Sequence, residues 1–278
     1  MSMLSKHKLL IVFCLGLFAG LPALAEEVML SQEVDPELTD DSPFSANVSL
    51  VNNYLYRGIS QTGGKPAIQG GVDYVHASHF YAGVWGSSIS WLGDQFVDTQ
   101  NLPAGQKAGA TNAGLELDTY FGYKNKLGKD FTYDLGFLRY NFPGSYAVGA
   151  TRADTNEVYA SANYKWLTAK YSYSLGNAFG NAQTSGTNYF ELLANYHIEP
   201  LGVVLGAHYG KQTFKGAGAI LNGNSLTYND YKLSITKQLE EEFELSLAYS
   251  KTDATAAYTV LGKNLGKGAV IASITRVF

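Results

Sequence analysis

Period-two alternation of apolar and polar residues constrains this chain more than any other feature of its sequence, and it recurs from residue 44 to the last residue. In residues 243–250, for example, Phe, Leu, Leu and Tyr occupy one face while Glu, Ser, Ala and Ser occupy the other. Such alternation places successive side chains on opposite faces of a β-strand. Beyond the first 25 residues, no stretch reaches the roughly 18 consecutive apolar residues that a membrane helix requires. The pattern therefore predicts an all-β chain.

The alternating segments number twelve, and each is about ten residues long, the length at which a tilted barrel strand crosses a bilayer. Their expected bounds are 44–57, 66–77, 80–92, 112–124, 131–142, 155–166, 167–176, 187–198, 201–211, 226–237, 242–251 and 268–278. The connections alternate between long ones, such as 93–111 and 252–267, and short ones, such as 125–130 and 199–200. Outer-membrane barrels have this asymmetry, with short periplasmic turns and long external loops. The sequence therefore predicts a transmembrane antiparallel up-and-down β-barrel of about 12 strands.

Two segments precede the predicted barrel, which spans residues 44–278. Residues 1–25 have the pattern of a cleaved signal peptide, with basic residues before an apolar run and an Ala-Leu-Ala cleavage site. The single cysteine, Cys14, lies in this leader, so the mature chain is expected to have no thiol chemistry. Residues 26–43 carry seven acids and no base, a composition that favours a mobile acidic tail in the periplasm.

The overall composition excludes several classes of function. Charged residues make up 16% of the chain, below the roughly 25% of ordinary soluble proteins. The net charge is −4 and no run of Lys and Arg is present, so no nucleic-acid partner is expected. The five histidines are scattered without metal-ligand spacing. We therefore expect no metal and no cofactor.

The residues that open the barrel carry a family resemblance. They read Tyr54-Leu-Tyr-Arg57-Gly-Ile-Ser-Gln61, then Pro66-Ala67, Gly70-Gly-Val-Asp73-Tyr74 and Phe80-Tyr-Ala-Gly-Val-Trp85-Gly-Ser87. This stretch resembles the opening of the TorF family of proposed porins, a conserved proteobacterial family of unknown function. The resemblance implies a Gram-negative outer-membrane barrel and supplies no particular solute. One departure is Asn53, where an acidic residue is expected in relatives.

The C-terminal residue, Phe278, ends an amphipathic last strand. A terminal Phe in this position resembles the signal that the barrel-insertion machinery of Gram-negative bacteria reads. Arg276 departs from that pattern, since an apolar residue is usual on the face that it shares with Phe278. The expected partners are the insertion machinery, outer-membrane lipids, lipopolysaccharide, and small polar solutes or ions.

Alternation also predicts which charged side chains face the lumen. The candidates for lining a pore are Arg57, Asp73, Glu116, Asp118, Asp134, Glu157, Lys165, Lys170, Glu191, Asp230, Lys232 and Glu244. Acids outnumber bases eight to four in this set, which predicts a mild preference for cations, as with the carboxylate rings of cation channels. The alternative is that these side chains form ion pairs between strands and brace the barrel. Arg139 is left out, because the adjacent apolar Phe137 and Leu138 suggest a bulge.

We expect the first hairpin to be centred near Gln61, which would place Arg57 opposite Lys65 and Asp73 opposite Ser49. Arg57 would then lie at the external mouth of the barrel and hold the first loop across the lumen. Alternatively, it is a rim arginine that contacts lipopolysaccharide phosphates or caps a turn.

The width of the lumen depends on the inward-facing residues. Large tyrosines would fill it, whereas inward glycines and serines favour an open passage; the small residues are Gly114, Gly122, Gly202, Gly206, Ser172, Ser174 and Ser246. On the face opposite Arg57, Tyr54 and Tyr56 are expected to join the outer aromatic girdle.

These features predict a channel for the passive diffusion of ions or small polar solutes, without enzymatic activity. One alternative is a non-conducting barrel that serves as a surface adhesin or anchor. Another is an outer-membrane hydrolase, which needs a serine beside a histidine on the lipid-facing wall. His76, His79 and His197 fall near the periplasmic turns and His208 points inward, so none is well placed for that chemistry.

Overall fold

The computed structural model describes residues 42–97, 111–221, 226–240 and 242–278. The predicted signal peptide, residues 1–25, and residues 26–41 of the predicted acidic tail lie outside the described residues. Within the described ranges, the chain consists of strands, two short α-helices and two 3₁₀ turns.

Twelve long strands close into one barrel, and each neighbouring pair is antiparallel. In chain order the strands are β1 (Phe44–Val51), β2 (Leu55–Tyr56), β3 (Ile59–Ser60), β4 (Ala67–Val75), β5 (Phe80–Ser88), β6 (Leu115–Leu127), β7 (Phe131–Asn141), β8 (Thr155–Tyr164), β9 (Leu167–Ser174), β10 (Asn188–Ile198), β11 (Val203–Thr213), β12 (Tyr228–Glu240), β13 (Phe243–Thr252), β14 (Thr259–Val260), β15 (Lys263–Asn264) and β16 (Ala269–Val277). The barrel runs from β1 through β4 to β13 and then β16, which pairs with β1 and closes it. Two small hairpins, β2–β3 and β14–β15, stand apart from it. The predicted twelve-stranded antiparallel barrel is confirmed.

The helices lie in long connections at one end of the barrel. They are α1 (Trp91–Val97) after β5 and α2 (Gly216–Leu221) between β11 and β12, with a 3₁₀ turn at Ala256–Tyr258. We call this the long-loop end. The opposite, short-turn end holds the start of β1, the end of β16 and a second 3₁₀ turn at Glu199–Leu201. No helix in the described part of the chain is long and apolar enough to cross a membrane.

The outward face of every barrel strand carries an exposed apolar side chain. One from each strand is Leu50, Ile68, Val84, Phe121, Leu135, Val158, Tyr171, Leu192, Leu205, Leu233, Leu247 and Val270. A continuous exposed apolar surface of this kind is rare on soluble monomers and is typical of a membrane-facing wall. The alternation read from the sequence thus places the apolar face outside.

The inward face is polar and filled by side chains. Tyrosine rings lie over glycines of the neighbouring strand: Tyr81 lies opposite Gly122, and Tyr120 lies opposite Gly83. Tyr159 covers Gly136 in the same way. The expectation that inward glycines leave an open passage is therefore wrong at Gly122, because the space that its missing side chain leaves is occupied by a ring.

Two details of the strands differ from the sequence prediction. The first hairpin pairs Ser49 with Gln69 and Ser45 with Asp73, so the predicted register, with Ser49 opposite Asp73, was four residues out. No bulge interrupts β7 near Arg139, since its pairing with β6 and β8 is continuous there. Arg139 faces outward and donates hydrogen bonds to two asparagines, whereas Leu138 is buried in the lumen.

Candidate functional site: the barrel lumen

Residues 52–66, which connect β1 to β4, fold back into the barrel and do not extend the wall. Their centre is the β2–β3 hairpin, in which Tyr56 pairs with Ile59 and Leu55 with Ser60. Tyr54 is fully buried and Tyr56 is 9% exposed, so the expectation that they join the outer aromatic girdle was wrong. The alternation of β1 continues into this segment, but the chain leaves the sheet after Val51. We call residues 52–66 the inserted hairpin.

The tip of the inserted hairpin is a two-residue turn of Arg57 and Gly58. Both residues have positive φ angles, 47° and 75°, as the tight turns that suit β-hairpins require. A positive φ is unfavourable for an arginine, and such strain clusters at functional sites. A Cβ atom on Gly58 would lie 2.8 Å from the Cβ of Asp230 on β12. The hairpin therefore spans the lumen and reaches the wall beyond it.

Arg57 is anchored by a buried ion pair inside the barrel. Its Nη2 donates to Glu157 Oε2 at 2.8 Å, and its Nη1 donates to Gln212 Oε1 at 2.8 Å. The Arg57 and Glu157 side chains are 0% and 1% exposed. Ser174 also donates to Glu157, at 2.9 Å. Charge-assisted hydrogen bonds are roughly twice as strong as neutral ones, and the low exposure of this pair reduces the screening by water.

Aromatic rings enclose the Arg57 guanidinium on several sides. Its central carbon lies 4.2 Å from the ring centre of Tyr189, 4.8 Å from that of Tyr56 and 5.8 Å from that of Phe179. The negative faces of these rings stabilise the cation. Tyr56 in turn donates its hydroxyl hydrogen to Tyr140 at 2.8 Å. The tip of the hairpin is thus fixed by charge, hydrogen bonds and ring contacts together.

A second polar cluster lies around His208. Its Nε2 is 2.8 Å from Asp230 Oδ1, and its Nδ1 is 3.7 Å from Glu191 Oε2. The hydroxyl of Tyr189 donates to Asp230 Oδ2 at 3.0 Å, and Lys170 Nζ lies 4.0 Å from Glu191 Oε1. His208 therefore faces the lumen, as its parity on β11 predicted, and not the lipid-facing wall that a hydrolase would use.

Tyrosines bind the other inward carboxylates. Tyr81 donates to Asp134 at 2.7 Å, and Tyr54 of the inserted hairpin donates to Glu116 at 3.2 Å. Tyr120 donates to Asp73 in the same manner. Each of these three carboxylates therefore accepts a hydrogen bond from a tyrosine hydroxyl inside the barrel.

Eleven of the twelve charged residues named from the sequence lie buried on the inward side. They are Arg57, Asp73, Glu116, Asp118, Asp134, Glu157, Lys170, Glu191, Asp230, Lys232 and Glu244. The placement of Lys165 was wrong. It has a φ of 55° in the turn after β8, its side chain is 53% exposed, and it lies 3.9 Å from Asp130 at the short-turn end. Alternation could not show that β8 ends at Tyr164, two residues before its predicted end.

Carboxylates dominate the charge of the described lumen. Eight buried acids face three buried bases once Lys165 is removed. Buried carboxylates are costly unless they are paired or bind a cation. No group of three or more His, Cys, Asp or Glu side chains that could hold a metal ion occurs in the described ranges.

A family match covers the whole barrel. The family described as "Bacterial protein of unknown function (Gcw_chp)" matches residues 37–278. No curated protein sequence matches the chain.

Several solved structures have a similar barrel. The KdgM porin in complex with disordered oligogalacturonate has a TM-score of 0.48 at 8% identity, over 84% of this chain and 98% of that one. The NanC porin has a TM-score of 0.47 at 9% identity, over 84% and 98% of the two chains. The outer membrane protein Omp33 of Acinetobacter baumannii has a TM-score of 0.42 at 6% identity, over 85% and 98%.

Proposed function

We propose that this chain, which belongs to the Gcw_chp family of bacterial proteins of unknown function, is a porin-like channel for ions or small polar solutes in the outer membrane of a Gram-negative bacterium. The observation that carries the proposal is the excess of buried carboxylates inside a closed barrel. We also propose that the chain is related to the TorF family of porins, because the residues between Tyr54 and Ser87 resemble the opening of that family's barrel.

The outer wall supports the location. Exposed apolar side chains on all twelve barrel strands suit the hydrocarbon layer. The long loops and the short turns lie at opposite ends, which in outer-membrane barrels correspond to the outside and the periplasm. Phe278, directly after β16, adds to the contact with β1 by donating its backbone N–H to the carbonyl oxygen of Ala46 at 2.8 Å. We propose that it is also the residue that the insertion machinery reads.

The charge of the lumen supports a mild preference for cations. An apolar interior would serve an anchor at least as well, because buried ion pairs add little stability over apolar pairs of the same shape. Eight acids against three bases leave unbalanced negative charge, which lowers the energy of a partly dehydrated cation and raises that of an anion. The bound species would move down its own gradient, without a cofactor.

The inserted hairpin is the constriction in this proposal. Because Arg57 reaches Glu157 on β8 and Gly58 reaches β12, the hairpin crosses the lumen and narrows it. The same observation favours a second candidate, a barrel that does not conduct and serves as a surface adhesin or anchor. Glu157 and Glu191, for instance, are only 1% exposed.

Reversal potential in a planar bilayer tests the proposal. A potassium chloride gradient across the purified protein should give discrete current steps and a potential of the sign that cation preference requires. Neutralising three inward acids together, as Glu116→Gln, Asp118→Asn and Asp134→Asn, should reduce that potential. The control neutralises exposed acids at the short-turn end, as Asp130→Asn and Glu199→Gln, and should leave it unchanged. Anion preference would contradict the charge assignment, and an inserted barrel without current steps would favour the anchor.

A further inference from the structure

A cavity of about 310 Å³ lies at the long-loop end, against the inserted hairpin. Tyr56 and Gln61 form its floor on the hairpin side. Its walls are formed by Trp91 of α1, Phe179 and Tyr258 from three different connections, and by Tyr228 at the start of β12. A volume near 300 Å³ lies at the lower end of the range for small-molecule sites.

The lining of this cavity differs in kind from the lumen beneath it. Six aromatic rings and four amide side chains contribute, and none of its described lining residues is charged. The amides are Gln61, Gln95, Asn181 and Gln212. Eight buried carboxylates lie in the lumen on the other side of the hairpin. A ligand that carries a full charge would find no opposite charge in this lining.

The rings of the cavity are held in fixed orientations. Tyr228 and Tyr258 meet edge to face with ring centres 5.0 Å apart. The hydroxyl of Tyr258 donates to the carbonyl oxygen of Leu226 at 2.6 Å, and burial raises the pKa of that hydroxyl well above its usual value. The ring centres of Tyr56 and Phe179 are 5.3 Å apart. The walls are thus preorganised, which lowers the entropic cost of binding.

We propose that this cavity binds a neutral sugar of one or two rings. The apolar C–H faces of a sugar ring pack on aromatic faces, while its hydroxyls exchange hydrogen bonds with amide side chains. Neither contact needs a charged partner. This inference rests on the proposed channel function in one respect. If the barrel is a channel, a neutral sugar is the solute class that reaches the constriction at the inserted hairpin first from the long-loop end.

Calorimetric titration of the purified protein with maltose, in detergent micelles, tests the inference. Saturable binding of maltose is expected, together with no binding of glucuronate or choline, which carry opposite charges on small organic frames. Tyr228→Leu removes one wall of the cavity and should weaken maltose binding about tenfold. Tyr231→Leu is the matched control, because Tyr231 lies on the same strand but faces outward and is 49% exposed.

A second readout does not depend on the folding of the Tyr228 variant. Maltose should shift the tryptophan emission of the unmodified protein, and Trp91→Phe should remove that shift while Trp85 and Trp166 remain. Absence of maltose binding, tighter binding of choline or glucuronate, or equal weakening by both tyrosine variants would overturn the inference. Maltose binding without any current in the bilayer would instead refute the channel and leave the sugar site standing.

Discussion

Arg57 and Glu157, one hundred residues apart in the chain, form a buried ion pair that fixes the inserted hairpin across the barrel. A buried pair gains little over an apolar pair of the same shape, but removing one partner leaves an uncompensated charge. The pair is therefore a position at which a single substitution should change both stability and access to the lumen.

Glu157→Gln is predicted to lower the free energy of unfolding by about 3–5 kcal/mol, because it leaves the Arg57 guanidinium buried without its carboxylate. Denaturant unfolding in micelles measures this loss. The control is Glu242→Gln, which breaks the ion pair between Glu242 and Arg276. The side chains of this pair are 56% exposed for Glu242 and 42% exposed for Arg276. That exposed pair should cost at most about 1 kcal/mol. Equal losses in the two variants would show that burial does not set the strength of the Arg57 pair.

Gly58→Ala should destabilise the inserted hairpin more than Gly64→Ala does. Both glycines have positive φ angles, 75° and 82°, so alanine should cost about 1–2 kcal/mol of backbone strain at either position. Only at Gly58 would the new methyl group also collide with Asp230, since no atom lies within 4 Å of a Cβ on Gly64. Limited proteolysis of the hairpin should therefore be faster in the Gly58 variant. Similar cleavage rates would contradict the placement of the tip against β12.

Filling a glycine beneath a tyrosine ring should disturb the lumen. A Cβ on Gly136 would overlap the ring of Tyr159, whereas no atom lies within 4 Å of one on Gly176. Gly136→Ala is predicted to cost about 1–3 kcal/mol through overpacking, and Gly176→Ala should be near neutral. Urea titrations of both variants measure the difference, and a neutral Gly136→Ala would show that the ring does not lie over the glycine.

The outward wall gives a fourth prediction. Leu247→Arg places a charge among lipid-facing residues near the middle of β13 and should cost about 2–4 kcal/mol. Val148→Arg is the control, since Val148 lies in a loop and is 93% exposed. The measurement is unfolding from lipid vesicles. Tolerance of both variants would contradict the membrane-facing assignment of the wall.

The barrel strands could be predicted from the sequence because apolar and polar residues alternate with a period of two along each of them. All twelve barrel strands and the inward side of residues such as Asp118 and Glu244 follow from alternation, which is interrupted within the strands only by a register shift near the end of β12, in the part of the chain that the structure describes. Lys165 was misplaced because alternation continues across a tight turn and does not mark where the strand ends.

The inserted hairpin could not be predicted in the same way. Tyr54 and Tyr56 continue the alternation of β1, so the local pattern is that of a longer strand. What draws them inward is the partnership of Arg57 with Glu157 and Gln212, residues far away in the chain. The one local signal is the Arg-Gly dipeptide, because glycine at 58 suits the positive φ of a tight hairpin turn.

Single-channel conductance of a hairpin-shortened variant tests the central claim most directly, namely that the lumen is the path and the inserted hairpin its constriction. Val51 pairs directly with Ala67, so a four-residue turn can replace residues 52–66 without altering the barrel strands. The account predicts that this variant inserts and conducts several times more current per step than the unmodified protein, with an equal or stronger cation preference, because Arg57 is one of the three buried bases. An inserted variant with unchanged conductance, or with none, would contradict it.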